Sequence, residues 1–113
     1  MAANEYFSHD NRSGLDPTQR AVRTGYRCRK DFGSYYTDGI AENIFQNWTY
    51  SSSMYGGLIK SYKSVKEIAE STVQGWIDSP GHLANITDRN FDRVGTGVAI
   101  ASDGKVMITQ DFC

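Results

Sequence analysis

The stretch Ser64–Asn85, SVKEIAESTVQGWIDSPGHLAN, joins the clearest helical pattern of the chain to its most unusual turn. Apolar residues recur in it at steps of three and four, which predicts a helix with one apolar stripe facing the core. Ser64 and Glu67 have the spacing of a capping box at the start of this helix. The stripe consists of Val65, Ile68, Ala69, Val73, Trp76 and Ile77.

The turn after this helix is marked by Pro80. Because proline lacks an N–H and clashes with the preceding turn of a helix, the helix should end near Asp78. Ser79 then resembles the N-cap of a second, short helix with Pro80 in its first turn. His82 would lie near the positive end of that helix dipole, which disfavours the imidazolium form. A neutral imidazole is able to ligate a metal.

The whole sequence, 1–113, is predicted to form one domain of low net charge. It has 12 basic and 13 acidic residues, which argues against attraction of the whole domain to nucleic acid or an anionic membrane. No apolar run reaches the roughly 18 residues of a membrane-spanning helix, and the start of the chain lacks the pattern of a signal peptide. The basic segment 12–30 reads as solvated surface, with a docking patch for anionic lipid or glycan as the alternative.

The two ends of the chain give further expectations. Residues 1–7 read like the end of a helix, so we expect an N-terminal part of the domain to be missing. Cys28 lies in a polar loop and Cys113 is the final residue, which favours one disulfide that ties down the C-terminal strand and implies an oxidising compartment. The alternative is two unrelated thiols. Glycosylation sequons begin at Asn11, Asn47 and Asn85.

Other segments have weaker patterns. A short helix is predicted over 17–24 because Asp16-Pro17 resembles a cap and first turn, and Gly25 fits the position after a helix. Two β-rich runs around Asp103-Gly104, at 93–101 and 105–112, predict a hairpin with a tight turn. The segment 26–39 reads as a loop with one extended piece, and 49–63 reads as a loop or mobile flap. Gly95 and Gly97 lie inside the first of the two β-rich runs, so close packing is a better explanation for them than dinucleotide binding.

Glu42 is unusual because it lies inside the otherwise apolar run 40–48. A buried carboxylate costs several kcal/mol unless it is hydrogen-bonded, ion-paired or bound to a metal. Glu42 is therefore either a satisfied structural acid or part of a functional site.

Five motifs occur in order along nearly the whole chain. They are Tyr6-Phe7-Ser8-His9, Ala41-Glu42-Asn43-Ile44, 76–86 (WIDSPGHLANI), 94–98 (VGTGV) and Thr109-Gln110-Asp111-Phe112. Together they resemble the microbial branch of the CAP superfamily, also called SCP-like, PR-1-like or cysteine-rich secretory proteins. This resemblance implies an α+β fold, a three-layer α-β-α sandwich with a central antiparallel sheet, in a secreted or cell-surface protein. It also implies a cleft containing His9, Glu42 and His82, a set that would suit Zn²⁺ or another divalent metal.

The sequence also departs from that family. Many eukaryotic members have a second glutamate three residues after the tryptophan of the central helix, where this chain has Ser79. Asp78 should point to a different face of the helix and is a poor substitute. The helical region that normally precedes the first motif is almost absent.

Three functions are consistent with these observations. We favour a non-catalytic extracellular module that binds a divalent metal or a small apolar ligand, such as a lipid or sterol-like molecule, in or beside the cleft. The second is a metal-dependent hydrolase of the peptidase type, with Glu42 as general base. The third is a protein-interaction domain with a vestigial cleft, acting through 20–30 or 49–63.

Overall fold

A computed structural model describes residues 7–52 and 60–113, without the side chains of Ser52 and Lys60. The helices are α1 (Pro17–Arg23), α2 (Val65–Ile77) and α3 (Pro80–Thr87). The strands are β1 (Arg29–Asp31), β2 (Tyr36–Asp38), β3 (Ala41–Trp48), β4 (Tyr50–Ser52), β5 (Lys60–Tyr62), β6 (Val94–Ile100) and β7 (Lys105–Phe112).

An antiparallel sheet of order β3-β7-β6 forms the middle layer of the domain. Successive side chains of a strand point to opposite faces, and β3 uses both faces. Glu42 contacts Arg20 of α1 on one face, whereas Asn43 and Phe45 contact α3 and α2 on the other. The predicted α-β-α sandwich with a central antiparallel sheet is therefore confirmed.

The hairpin of β6 and β7 is confirmed, although its turn is longer than predicted. The ladder ends at the pair Ile100 and Val106, and the Gly104 N–H donates to the Ala101 carbonyl across the turn at 3.0 Å. The φ of Gly104 is 91°, in the left-handed region that favours glycine. The expectation of close packing at Gly95 is wrong, because a Cβ there would meet nothing within 4 Å.

Helix α2 begins as the sequence predicts. The Ser64 hydroxyl accepts from the Glu67 N–H at 3.1 Å, and the Glu67 carboxylate accepts from the Ser64 N–H at 3.2 Å. Helix α3 begins at Pro80, but Ser79 makes no side-chain capping hydrogen bond. Ser79 is therefore the N-cap residue and Pro80 lies in the first turn, as predicted, although the Ser79 hydroxyl does not cap the helix.

Trp76 anchors α2 to the sheet. It is 2% exposed and packs with Val106 and Ile108 of β7. Its indole N–H donates to the Ile44 carbonyl at 2.9 Å, which satisfies the polar atom of an otherwise apolar side chain. Phe45 meets the indole edge-on, with 6.3 Å between the ring centroids.

The rest of the predicted apolar stripe is not uniformly buried. Val65, Val73 and Ile77 are 85%, 44% and 43% exposed. The expectation that all of the stripe faces the core is therefore wrong for these three residues. Val65 and Val73 line an open apolar groove next to β6, a strand that is exposed along its whole length.

Short strands occupy parts of both predicted loops. β1 and β2 form an antiparallel pair inside 26–39, and β4 and β5 form another inside 49–63. The prediction of a loop is wrong for β4 and β5, and 26–39 contains two paired strands where one extended piece was predicted. Three-residue strands are too short to show a sequence period. The centre of the second loop, 53–59, and the first residues, 1–6, lie outside the described residues.

The predicted disulfide is present. Cys28 and Cys113 are joined with a Cα–Cα distance of 5.8 Å, and both residues are buried. The N–H and C=O of Cys113 also exchange hydrogen bonds with the backbone of Arg93, each 3.0 Å long. The C-terminal residue is thus held both covalently and by the backbone beside β6.

Candidate functional site

Glu42 is the centre of a polar cluster on the α1 face of the sheet. Its side chain is 2% exposed and its two oxygens have different partners. Nδ1 of His9 lies 3.0 Å from Oε1, and the guanidinium of Arg20 donates to Oε2 at 2.6 Å. Both oxygens of this buried carboxyl group therefore have partners, and Glu42 contacts His9.

Arg20 is positioned by the short helix that carries it. α1 starts with a capping box in which Asp16 accepts from the Gln19 N–H and Gln19 reaches back to the Asp16 N–H. The guanidinium of Arg20 then donates to the carbonyls of His9 and Leu15 as well as to Glu42. One side chain thus links the His9 segment, α1 and β3.

Asp111 is, with Arg20, one of two members of this cluster that sequence reasoning missed. It lies directly opposite Glu42 in the register of β3 and β7. Cross-strand neighbours in an antiparallel sheet have Cβ atoms about 5 Å apart, which brings the two carboxyl groups together. The motif at 109–112 contains Asp111, but only the register of the strands shows that Asp111 faces Glu42.

The acidity of Glu42 follows from this environment. Burial raises the pKa of Glu42 from 4.5 to about 8, and hydrogen bonding and charge from Asp111 act in the same direction, while Arg20 opposes them. Oδ1 of Asp111 is buried and has no hydrogen-bond partner in the described part of the chain. A proton held on Glu42 would relieve the repulsion between the two carboxyl groups.

His82 is connected to this cluster only indirectly. Asn43, next to Glu42 on β3, donates to the backbone carbonyl of His82 at 3.1 Å and accepts from the Asn85 side chain at 2.9 Å. Within residues 7–52 and 60–113, His82 makes no hydrogen bond or ion pair with His9 or Glu42, and its Nδ1 is buried without a partner. The structure therefore brings together His9 and Glu42 of the predicted trio.

The partners of Glu42 favour a hydrogen-bonded carboxyl group over a metal ligand. Both oxygens are already engaged, one of them by a guanidinium that would repel a cation. No group of three or more His, Cys, Asp or Glu side chains in the described ranges is placed to hold a metal ion. Activation of water by Glu42 would also need an ionised carboxylate with a free oxygen.

A polar cleft of about 340 Å³ opens beside this cluster. Glu42, Arg20 and Asp111 form part of its wall. The rest of the wall is also polar and consists of Ser8, Asp10, Asn11 and Thr109.

An apolar groove of about 290 Å³ lies on the opposite face, between α2 and strands β6 and β7. Val98 and Ile100, which are 63% and 65% exposed, line one side, and Val65 and Val73 of α2 line the other. Gln110 contributes a buried Oε1 that has no hydrogen-bond partner among the described atoms. The sequence showed the residues of this groove, but the stripe was assigned entirely to the core.

The basic segment 20–30 is largely neutralised by its own contacts. Arg27 pairs with Asp38 at 2.5 Å, and Lys30 pairs with Asp92 at 2.6 Å. Arg29 lies over the ring of Tyr36, 4.6 Å from its centroid. These contacts favour the interpretation of the segment as ordinary solvated surface.

Comparison with known proteins gives one match. The model of the cysteine-rich secretory protein family, CAP, matches residues 1–112. No curated protein and no solved structure matches the chain significantly. In the part of the chain that the structure describes, no helix combines the length and apolar composition that a membrane crossing requires.

Proposed function

The chain belongs to the cysteine-rich secretory protein family, CAP, and from this membership we propose that it is an extracellular, non-catalytic module that binds a small apolar ligand. The binding site is the groove between α2 and strands β6 and β7. The observation that carries the proposal is the exposure of large aliphatic side chains on both sides of this groove.

The chemistry of the groove defines the ligand class. Its volume of about 290 Å³ is near the lower end of the about 300–1,000 Å³ typical of ligand pockets, so the ligand is small. Each CH₂ group that leaves water contributes about 0.8 kcal/mol, which favours an aliphatic chain. The unpartnered Oε1 of Gln110 would accept a hydrogen bond from the ligand. A fatty alcohol combines these two properties.

The extracellular setting is supported by the disulfide. A disulfide between Cys28 and Cys113 persists in an oxidising compartment and is rare in the reducing cytosol. The description of the family as secretory agrees with this setting.

Decanol binding, measured by calorimetry, tests the proposal. Val98→Lys places a charge on the wall of the groove at an exposed position, so the domain should fold while decanol affinity falls about tenfold or more. Val22→Lys is the matched control, because Val22 is 53% exposed and lies on α1 outside the groove. Equal affinities for the two variants, or no saturable binding by the wild type, would contradict the proposal.

A divalent metal at His9, Glu42 and His82 stays a second prediction. The contact of His9 with Glu42 and the unpartnered Nδ1 of His82 favour it, and the ion pair with Arg20 opposes it.

A further inference from the structure

We propose that Asn11 is the attachment site of an N-linked glycan, and that the sequons at Asn47 and Asn85 stay unmodified in the folded protein. The proposal rests on the extracellular part of the proposed function, since only exported chains meet a glycosylation machinery. All three sequons match the Asn-x-Ser/Thr pattern, although Asn85 also lies in the motif at 76–86. The structure distinguishes them by the partners of the amide nitrogen Nδ2, which is the atom that carries the sugar.

Asn47 is used to join β3 to α2. The residue is 8% exposed, and its Nδ2 donates to the Ser71 hydroxyl at 2.7 Å. Its Oδ1 accepts from the Trp48 N–H at 2.8 Å and from the Lys63 ammonium at 3.1 Å. A sugar on this nitrogen would have to separate the strand from the helix.

Asn85 is used to hold α3 against the sheet. Its Nδ2 donates at 2.9 Å to Oδ1 of Asn43, a side chain with 0% exposure. The same Asn43 donates to the His82 carbonyl at 3.1 Å. A sugar on Nδ2 would therefore have to stand next to a wholly buried amide, and its entry would break this network.

Asn11 lies in the connection before α1 and uses only its side-chain oxygen. Its Oδ1 accepts from the N–H groups of Ser13 and Leu15, each at 2.9 Å. Within the described ranges, Nδ2 of Asn11 makes no hydrogen bond, and the next residues, Arg12 to Gly14, are exposed. The fold thus fixes the amide oxygen and leaves the nitrogen available.

The modification needs a lipid-linked oligosaccharide phosphate as co-reactant. Nδ2 of Asn11 forms a bond to the anomeric carbon of the first sugar, and the bond from that carbon to the phosphate oxygen breaks. The phosphate leaves with the electron pair, and Nδ2 loses one proton to the transferase. Oδ1 keeps both of its hydrogen bonds. Because Asn11 forms part of the wall of the polar cleft, the glycan would stand at the mouth of that cleft.

Secretion from a host with N-glycosylation, followed by mass spectrometry of the glycopeptides, tests the proposal. We expect a glycan on the peptide containing Asn11 and unmodified Asn47 and Asn85 peptides. Ser13→Ala should abolish the glycan while it leaves the two backbone hydrogen bonds to Asn11 in place. Thr87→Val, which removes the sequon of Asn85, is the matched control and should leave the glycan unchanged.

Two results would overturn the proposal. One is a glycan on Asn47 or Asn85 of the folded, secreted protein. The other is an unmodified Asn11 when a co-secreted reporter with one sequon is fully glycosylated. Decanol binding by protein made without glycosylation is a separate measurement, so failure of the glycan proposal and failure of the proposed function remain distinguishable.

Discussion

At the scale of single residues, the protonation of Glu42 should control how stability depends on pH. Its folded pKa of about 8 lies above the ordinary value of 4.5, so the folded chain holds this proton more tightly than the unfolded chain. The resulting contribution to stability is complete below pH about 4.5 and is lost as pH rises through about 8. We expect the free energy of unfolding in urea to fall by a few kcal/mol across this window.

Glu42→Gln should flatten that profile, because glutamine is a neutral isostere of the protonated acid. Glu70→Gln is the control, since Glu70 is exposed and its pairing with Lys66 is a surface contact of 3.7 Å. Identical profiles for wild type and Glu42→Gln would show that the proton on Glu42 does not have this role.

The predicted metal site uses the same carboxyl group of Glu42. An ion at His9, Glu42 and His82 would have to displace the proton of Glu42 and the guanidinium of Arg20. Zn²⁺ titration by calorimetry should therefore give tighter binding at pH 8.5 than at pH 6.5, and Arg20→Gln should tighten it further, by about tenfold. His82→Ala is expected to abolish the heat. Absence of heat from both wild type and Arg20→Gln would refute the metal site.

At the scale of elements, Gly75 sets how closely α2 approaches β3. A Cβ at this position would lie 2.3 Å from Cε2 of Phe45, whose ring is held against Trp76. Gly75→Ala should destabilise the domain by about 1–2 kcal/mol, because overpacking of about 1–3 kcal/mol outweighs the helix propensity gained. Thermal unfolding measures the effect.

Gly81→Ala is the matched control for that substitution. Gly81 also lies in a helix, α3, but a Cβ there would meet nothing within 4 Å. This variant should be neutral or slightly more stable. A similar loss of stability in both variants would mean that the contact of Gly75 with Phe45 is not the cause.

The sequence predicted those elements whose signals are local. Both ends of α2 were predicted to within one residue, from the capping residues Ser64 and Glu67 and from the break at Pro80. Caps and prolines act on the adjacent backbone, so their effect is visible in the local sequence. β4 and β5 were missed because each has three residues, too few to establish alternation.

At the scale of the whole molecule, the polar cluster could be predicted only in part. The resemblance to the CAP family indicated His9 and Glu42, whereas Arg20 and Asp111 were not identified as their partners. Asp111 faces Glu42 only through the register of β3 and β7, which is a tertiary property. The groove was missed for the same reason, since the pattern of α2 shows an apolar stripe but not whether another element covers it.

The disulfide links the segment before β1 to the residue after β7. Cys28 precedes β1 and Cys113 follows β7, so the bond closes a separation of 85 residues. In the chain-entropy model a link that closes a loop of this length adds about 4.5 kcal/mol to the free energy of unfolding, because it restricts the unfolded ensemble. Cys28→Ser with Cys113→Ser should therefore lower the free energy of unfolding in urea by about 4.5 kcal/mol.

The comparison between that double variant and reduced wild type separates two explanations. Both lack the covalent link, so similar losses would assign the effect to loss of the link, whereas a larger loss in the double variant would assign the difference to serine at two buried positions. The backbone bonds between Cys113 and Arg93 remain available in both, which should keep β7 paired with β6 and preserve decanol binding. A folded double variant that loses decanol binding would instead show that the covalent link is needed to maintain the sheet beneath the groove.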